Sequence, residues 1–334
     1  MSDTVEPRHD PGAESHLEPL FSVVAGEGDG FLLGLAAGDT AGGAWDLGYS
    51  ATTEQATILA YELIAHRWLD PDRVVTAMLE MDGIGGSAEE PVLRGVSPEL
   101  RRWLDNARSG PPQPGAEPSL DAAARAPVLG VAFRRDPEGL VDGCLALGRL
   151  FHRDAGTLAA GVAAAAAVAA SCFAQSGLDL LAGVGEVLAG SRERIGGEAH
   201  GADRLDGLPD RVRSLLPVVG VASGEEALSA VGGDRDDPMQ MVLAGILLAA
   251  PVATRHHVPI SEAARLGGSR LGGIVGAIVG ARVGIRAWPW AFANDTWFAE
   301  IGRRLVRGPD EVADLPIPYA VEQHLISGGR PGFH

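Results

Sequence analysis

Residues 30–43 read GFLLGLAAGDTAGG, in which Gly34, Gly38 and Gly42 recur at every fourth position. Residues spaced by four lie on the same face of a helix, and the apolar residues between these glycines share another face. Glycine has no side chain, so a second backbone can approach such a face closely. The stretch therefore predicts a buried helix that packs tightly against another part of the chain.

The same spacing of glycine returns near the C-terminus, at Gly272, Gly276, Gly280 and Gly284. It resembles a dimerisation motif of membrane helices, but close packing of soluble helices explains it more simply. Hydrophobic periodicity predicts further helices, ended by glycine or proline. We expect them at 52–69, 140–150, 155–174, 178–189, 238–250, 261–266, 271–284 and 297–306, with a long exposed loop at 107–127. No run of alternating β residues stands out, so the predicted fold class is all-α.

The polar composition of residues 1–26 predicts a flexible N-terminal tail, followed by one domain over residues 27–326 and a short tail at 327–334. The stretch from 155 to 174 carries no charge, so it has to be compared with a membrane span. Most of its residues are alanine, which gains little on entering lipid, and no Trp/Tyr belt borders it. We therefore predict a buried core helix.

Composition excludes several classes of protein. The 334 residues include 44 acidic and 27 basic ones, for a net charge of −17. Such a surface repels phosphate backbones and anionic lipid, so we expect neither a nucleic-acid nor a membrane partner. Every basic residue is arginine, which excludes lysine Schiff-base chemistry and phosphate-loop ATPases. Cys144 and Cys172 are expected to be buried thiols, and the polar start of the chain favours a cytoplasmic location.

Three separated segments resemble the ADP-ribosylglycohydrolase family. They are residues 30–46 (GFLLGLAAGDTAGGAWD), residues 150–154 (LFHRD) before an alanine-rich helix, and residues 276–289 (GAIVGARVGIRAWP). Their order and separations agree with the family over roughly residues 28 to 306. The resemblance implies a compact single-domain bundle of many helices.

The positions that carry the family's chemistry differ in this chain. Family members bind one or two magnesium ions with a Thr-Asp-Asp-Thr stretch at the start of the second helix and an Asp-x-Asp-Thr/Ser element before the glycine-rich helix. Here residues 50–55 read SATTEQ and residues 265–272 read RLGGSRLG. In one register Thr52 and Thr53 replace both carboxylates of the first element; a shift by one residue leaves Glu54 as the single acid. Because magnesium needs carboxylates, the comparison predicts no metal site and no cofactor.

Two interpretations of the altered stretch remain open. Thr52 to Gln55 fits a capping box, in which the threonine hydroxyl binds free backbone N–H groups and Gln55 reaches back. The same helix start, with Thr52, Thr53 and Gln55, also offers N–H donors to a phosphate or carboxylate. Ser269 and Arg270 would then complete a ligand site, with Arg270 supplying a permanent positive charge. Alternatively, Arg270 pairs with Asp39, Asp46 or Glu54.

Asp39 and Asp46 match acids of the family's opening segment and would share a face if the helix continued past Gly42. Asp39 is expected to accept backbone hydrogen bonds beside the ligand, whereas Asp46 borders the cleft. With Glu54, Asp46 is the candidate catalytic carboxylate, since general acid–base catalysis needs one acid perturbed by burial and another group to position water. His152 is a candidate ligand contact or a packing residue, and Asp154 is expected to cap the next helix.

Three functional hypotheses follow. The first is a metal-independent homologue that binds a ribosyl or phosphorylated ligand or performs an altered glycosidic reaction. The second is an inactive pseudoenzyme that binds a protein partner. The third is a magnesium-dependent hydrolase whose metal site has moved to Asp234, Asp236 and Asp237, although an ordinary loop and helix cap suit that stretch better.

Overall fold

The computed structural model describes residues 17, 28–43, 48–83, 93–197, 199–221, 223–251, 256–285, 288, 293–308, 314–318 and 320–322. The predicted tails fall outside these residues except for Leu17, so the domain boundaries stay predictions. Asp46, one of the two candidate catalytic acids, also lies outside the described residues.

The described residues form α-helices and contain no β-strand beyond isolated bridges, which confirms the all-α prediction. The helices are α1 (Phe31–Gly42), α2 (Ala51–His66), α3 (Pro71–Gly83), α4 (Pro98–Ser109), α5 (Asp121–Arg125), α6 (Pro127–Ala132), α7 (Pro137–Phe151), α8 (Ala155–Ser171), α9 (Gly177–Gly196), α10 (Leu208–Ser214), α11 (Gly224–Val231), α12 (Pro238–Ala249), α13 (His257–Val283) and α14 (Asp295–Arg307).

The two glycine-spaced segments are partners. Helices α1 and α13 run antiparallel with their glycine faces together, so closely that a Cβ added at Gly34 would lie 2.0 Å from the carbonyl oxygen of Gly276. A Cβ at Gly38 would lie 1.9 Å from the carbonyl oxygen of Gly272. No side chain fits between these backbones. The predicted close approach at the glycine face of α1 is therefore confirmed.

A break divides α13 at the point where it faces the end of α1. Gly267 and Gly268 leave the helical conformation, and Gly268 has φ 62° and ψ −156°, a combination essentially confined to glycine. This break separates the two helices predicted at 261–266 and 271–284. It also creates a new helix start, at Ser269 and Arg270, next to the start of α2.

Helix α8 is the centre of the core. Its alanine-rich sequence is buried along almost its whole length, and α5, α6, α7, α9, α12 and α13 pack around it. Alanine permits these neighbours to approach closely without the side-chain entropy cost of larger residues. Among the described residues, no helix is both long enough and apolar enough to span a membrane. The prediction of a core helix at 155–174 is therefore confirmed, with an end at Ser171.

The predicted loop at 107–127 is shorter than expected. Helix α4 extends to Ser109, and α5 begins at Asp121. The connecting segment is fixed to the rest of the protein: the Gly115 N–H donates to the Phe151 carbonyl oxygen at 2.8 Å, and the Ser119 N–H donates to Thr157 Oγ1 at 2.9 Å. These bonds place the segment against the end of α7 and the start of α8, where it forms one wall of a cavity.

Candidate functional site

Asp39 binds the start of α2. One of its carboxylate oxygens accepts the Ser50 hydroxyl at 2.7 Å, and the other accepts the Ser50 N–H, the Thr53 N–H and the Thr53 hydroxyl at 2.8–3.1 Å. Burial raises the pKa of Asp39, and these four hydrogen bonds oppose that rise. Ser50 is the N-cap, since its side chain accepts the Thr52 N–H. Asp39 therefore ties the C-terminal end of α1 to the N-terminal end of α2.

The predicted capping box is wrong in its register. Helix α2 begins at Ala51, one residue before Thr52, and Gln55 donates to the Ala51 carbonyl oxygen instead of reaching back to a cap. Thr52 is buried against α13, where a Cβ on Gly273 would lie 3.1 Å from its methyl group. The start of α2 is therefore covered by Asp39 on one side and by the glycines of α13 on another.

We expect Asp39→Asn to destabilise the protein by about 2 kcal/mol, because the amide group cannot accept from all four donors and two or more of them lose their partner. Urea unfolding measures this difference. Asp72→Asn is the matched control, since Asp72 is an exposed acid in the first turn of α3. Equal stability of the Asp39→Asn variant and the parent would contradict the assigned role of Asp39.

Glu54 belongs to a buried ion cluster with Arg94 and Glu322. Arg94 contacts Glu54 through its backbone N–H at 2.9 Å, its Nε at 2.7 Å and its Nη2 at 2.6 Å, and the same Nη2 binds Glu322 at 2.8 Å. Tyr49 donates to the other oxygen of Glu322 at 2.6 Å. Burial raises the pKa of Glu54 well above its ordinary value, and Glu322 raises it further, whereas Arg94 opposes both effects. The geometry gives Glu54 a role in holding residues 320–322 against α2.

Gln55 and His152 meet at Arg125, a residue of α5 with a fully buried side chain. One terminal nitrogen of Arg125 donates to Gln55 Oε1 at 2.8 Å, and the other lies 3.0 Å from His152 Nε2. The guanidinium also stacks 4.1 Å from the centre of the Phe151 ring. Burial lowers the pKa of Arg125 to about 10, which leaves it charged at neutral pH.

The contact with Arg125 fixes the protonation of His152. A guanidinium has no acceptor, so His152 Nε2 must accept this hydrogen bond and the ring proton must sit on Nδ1. Burial, together with the Arg125 charge, lowers the pKa of His152 to about 3, so the ring is neutral. His152 therefore carries its single ring proton on Nδ1.

Arg270 pairs with Asp121, at the start of α5, and not with Asp39 or Glu54. Asp121 also accepts the hydroxyl of Ser97, the N-cap of α4. Burial would raise the pKa of Asp121, but the charges of Arg270 and Arg125 and the Ser97 hydroxyl together hold it below its ordinary value. Ser269, beside Arg270, is half-buried. Asp121 thus lies between two guanidinium groups as a stable carboxylate.

A cavity of about 230 Å³ opens beside Asp121, Arg125 and His152. Trp103 forms part of its wall, with its ring centre 4.3 Å from that of Phe151 and its Nε1 bonded to the Leu150 carbonyl oxygen. Helix α4, the segment before α5, α5 and the end of α7 supply the lining: Glu99, Leu100, Arg102, Trp103, Asn106, Gln113, Gly115, Ala116, Glu117, Asp121, Arg125, Phe151 and His152.

The described residues near the starts of α2 and of the second half of α13 do not fit magnesium. Asp39 already accepts four hydrogen bonds, Glu54 is bound by Arg94, and Arg270 places a cation beside the same face. Asp121 is bound by Arg270 and by the Ser97 hydroxyl. The other groups there are hydroxyls and the Gln55 amide, which carry no charge to neutralise a cation that is usually held by one or two free carboxylates. No group of three or more His, Cys, Asp or Glu side chains suited to a metal occurs among the residues described.

The alternative metal site proposed at Asp234, Asp236 and Asp237 lies among the described residues. Its side chains make hydrogen bonds within the loop and at the start of α12. Asp234 accepts the Asp236 N–H, and Asp237 caps α12 by accepting the Met239 and Gln240 N–H groups. The cap agrees with the ordinary-loop interpretation of this stretch. Asp154 likewise caps α8 by accepting the Thr157 N–H at 2.7 Å, as predicted.

Gln55, His152 and Arg270 are candidate site residues from the sequence, and the structure places all three around α5. The sequence prediction omits the two residues of α5 that they contact, Asp121 and Arg125. A signal was present: residues 121–125 read DAAAR, a charged pair four residues apart inside an apolar stretch. Such charges on a buried helix require partners. The sequence motifs offer no comparable signal for Glu99 or Trp103, since both lie in α4, a helix that the hydrophobic pattern does not predict.

Comparison with known proteins agrees with this fold. A model of the ADP-ribosylglycohydrolase family matches residues 28–314. The chain belongs to this family. Among solved structures, a chain of an ADP-ribosylglycohydrolase-related protein complex superimposes with a TM-score of 0.60 at 19% identity, covering 84% of this chain and 97% of that one. No curated protein matches the sequence. The family resemblance is confirmed, and at this identity the structural similarity concerns the ADP-ribosylglycohydrolase fold alone.

Proposed function

We propose that this ADP-ribosylglycohydrolase homologue binds a ribosyl or phosphorylated small molecule in the cavity beside Arg125, without bound magnesium. The observation that carries the proposal is the buried Arg125–His152 pair, which lines the cavity and supplies a permanent cation beside a neutral imidazole. Guanidinium and imidazole N–H groups donate to the oxygens that ribosyl and phosphorylated compounds carry.

The charges around the cavity support the same class of ligand. Arg125 and Arg270 flank the single buried carboxylate of Asp121, which leaves one positive charge in excess at the inner end. Guanidinium groups bind phosphate oxygens well. Glu99 and Glu117 line the outer part and suit the hydroxyls of a ribose, whereas Trp103 gives an apolar wall for a sugar face or a base.

We expect ADP-ribose, in the presence of EDTA, to raise the melting temperature by about 5 °C at roughly 100 times its Kd, because a ligand that binds only the folded state stabilises it.

His152→Phe keeps a ring but removes the Nδ1–H donor, so it should weaken binding about tenfold. His257→Phe is the control, since His257 is exposed at the start of α13. Differential scanning fluorimetry followed by calorimetry gives both quantities.

Ribose 5-phosphate, tested in the same way, separates the ribosyl phosphate from the adenosine part of ADP-ribose. If neither compound shifts the melting temperature at millimolar concentration, the ligand proposal fails, and the pseudoenzyme hypothesis, in which the chain binds a protein partner, gains support. Equal affinity of the His152→Phe variant and the parent would rule out the assigned contact.

A further inference from the structure

We propose that Glu54 and Glu322 share one proton, and that loss of this proton as the pH rises releases residues 320–322 from α2. These residues then form a proton-dependent latch that is built into the fold. The inference is independent of the ligand cavity, because it concerns only the buried cluster of Glu54, Arg94 and Glu322.

The cluster holds two buried carboxyl groups and one guanidinium group. Arg94 Nη2 lies 2.6 Å from Glu54 Oε1 and 2.8 Å from Glu322 Oε2, so both carboxyl groups compete for the same nitrogen atom. The Glu54 side chain is fully buried, and that of Glu322 is 3% exposed. Two negative charges so close together and out of water are costly, and one guanidinium compensates only one of them. A proton on either carboxyl group removes the uncompensated charge.

Within the described part of the chain, the neighbours of the pair bring no second cation to it. The Tyr49 hydroxyl donates to Glu322 Oε1 at 2.6 Å, and Asn294 Nδ2 donates to that hydroxyl at 2.7 Å. Charged residues on the other elements that pack against α2 have partners outside the cluster: Asp39 of α1, Asp82 of α3, Arg125 of α5, Arg270 of α13, and Asp295 and Glu300 of α14.

The polar contacts of the cluster also fit a protonated Glu322. A carboxyl group with its proton on Oε1 donates to the Tyr49 oxygen, and the Tyr49 hydroxyl then needs another acceptor. Asn294 Oδ1 is buried and has no hydrogen-bond partner among the described residues. A half-turn of the Asn294 amide brings this oxygen to Tyr49 in place of Nδ2. The cluster therefore contains an acceptor for the neutral form.

The pKa shifts of the two carboxyl groups give the pH dependence its sign. Burial raises the pKa of Glu322, and burial together with the Glu322 charge raises that of Glu54, while Arg94 opposes both rises. Release of residues 320–322 separates the two groups, so each pKa falls toward its ordinary value. Between the ordinary and the raised pKa, the docked state thus binds one proton more than the released state. Over that range the equilibrium constant for release rises by up to about tenfold per pH unit.

Hydrogen exchange of the full-length protein, measured by mass spectrometry, tests the release. The readout is the protection factor of peptides that cover residues 320–322, which corrects for the intrinsic effect of pH on exchange. In the parent we expect this factor to fall about tenfold or more between pH 6 and pH 8. In Glu322→Gln and in Glu54→Gln it should stay at the value of the parent at pH 6, because either change leaves one carboxyl group for one guanidinium.

Infrared spectroscopy detects the proton itself. We expect the band of a buried protonated carboxyl group in the parent at pH 6, its loss at alkaline pH, and its absence from both glutamine variants. Glu62→Gln is the matched control, since Glu62 lies two turns further along α2, is half-buried and pairs with His66. This variant should keep both the band and the pH-dependent fall in protection.

A protection factor in the parent that does not change with pH would overturn the latch, and so would a parent without the infrared band at pH 6. A pH-dependent fall that persists in either glutamine variant would overturn it as well, because another group would then carry the proton. Low protection at both pH values in both variants would show that docking needs the second negative charge, which is the opposite of the proposal.

Discussion

Replacing Gly34 by alanine should destabilise the protein by about 3 kcal/mol or more, the upper part of the range for overpacked interiors. The added Cβ would lie 2.0 Å from the Gly276 carbonyl oxygen, and the atoms it meets are backbone atoms of Gly276 and Gly280. No rotamer change can relieve it, so α1 and α13 must move apart along their common glycine face. Urea unfolding and thermal melting measure the loss.

Gly190→Ala is the matched control. Gly190 lies on the exposed side of α9, and a Cβ there would meet nothing within 4 Å. Alanine favours the helical state more than glycine does, so this variant should gain roughly 0.5–1 kcal/mol. If Gly34→Ala and Gly190→Ala behaved alike, the close backbone contact between α1 and α13 would be refuted.

The second large effect is expected at Arg94, the cation of the cluster with Glu54 and Glu322. Arg94→Met should cost about 3–5 kcal/mol at pH 8, because removal of one partner leaves buried carboxylates without a counter-ion. Arg213→Met serves as the control, since the exposed pair of Arg213 with Asp210 contributes little. Chemical unfolding of both variants gives the comparison.

The pH dependence of the Arg94→Met variant has a definite sign. Loss of the guanidinium removes the charge that opposes the raised pKa of Glu54, so the folded-state pKa moves further above the ordinary value of 4.5. Between the pKa of Glu54 in the unfolded chain and its raised pKa in the folded protein, the folded protein binds more protons than the unfolded chain. The free energy of unfolding of the variant therefore falls as the pH rises through that range. The deficit relative to the parent should thus be larger at pH 8 than at pH 5. Adding Glu54→Gln should recover part of it, and an equal deficit at both pH values would contradict the cluster.

Much of the fold follows from local sequence. The glycine spacing in α1 and in the second half of α13 predicts close backbone contact, and the length of the uncharged apolar runs indicates the buried helices α8 and α12. Helices α3 and α4 were missed, although Pro71 and Pro98 stand at their first positions, where proline is favoured.

The site was predictable only in part. Which residues face one another across the bundle depends on the packing of α2, α5 and the end of α7, and no local pattern encodes that packing. Arg270 was therefore assigned acidic partners nearby in the family motif, whereas its partner, Asp121, lies 149 positions away in sequence. The start of α2 is misplaced in the sequence prediction because Ser50 and Thr52 can both cap a helix, and the hydrogen bond from Ser50 to Asp39 is a tertiary contact that local sequence does not show.

We propose that arginine and histidine side chains, and no magnesium ion, hold the ligand of this family member. Calorimetric titration of ADP-ribose tests it most directly, performed on the same protein first after dialysis against EDTA and then with excess magnesium chloride. We predict the same Kd in both titrations. Binding that appears only after magnesium is added would contradict the claim.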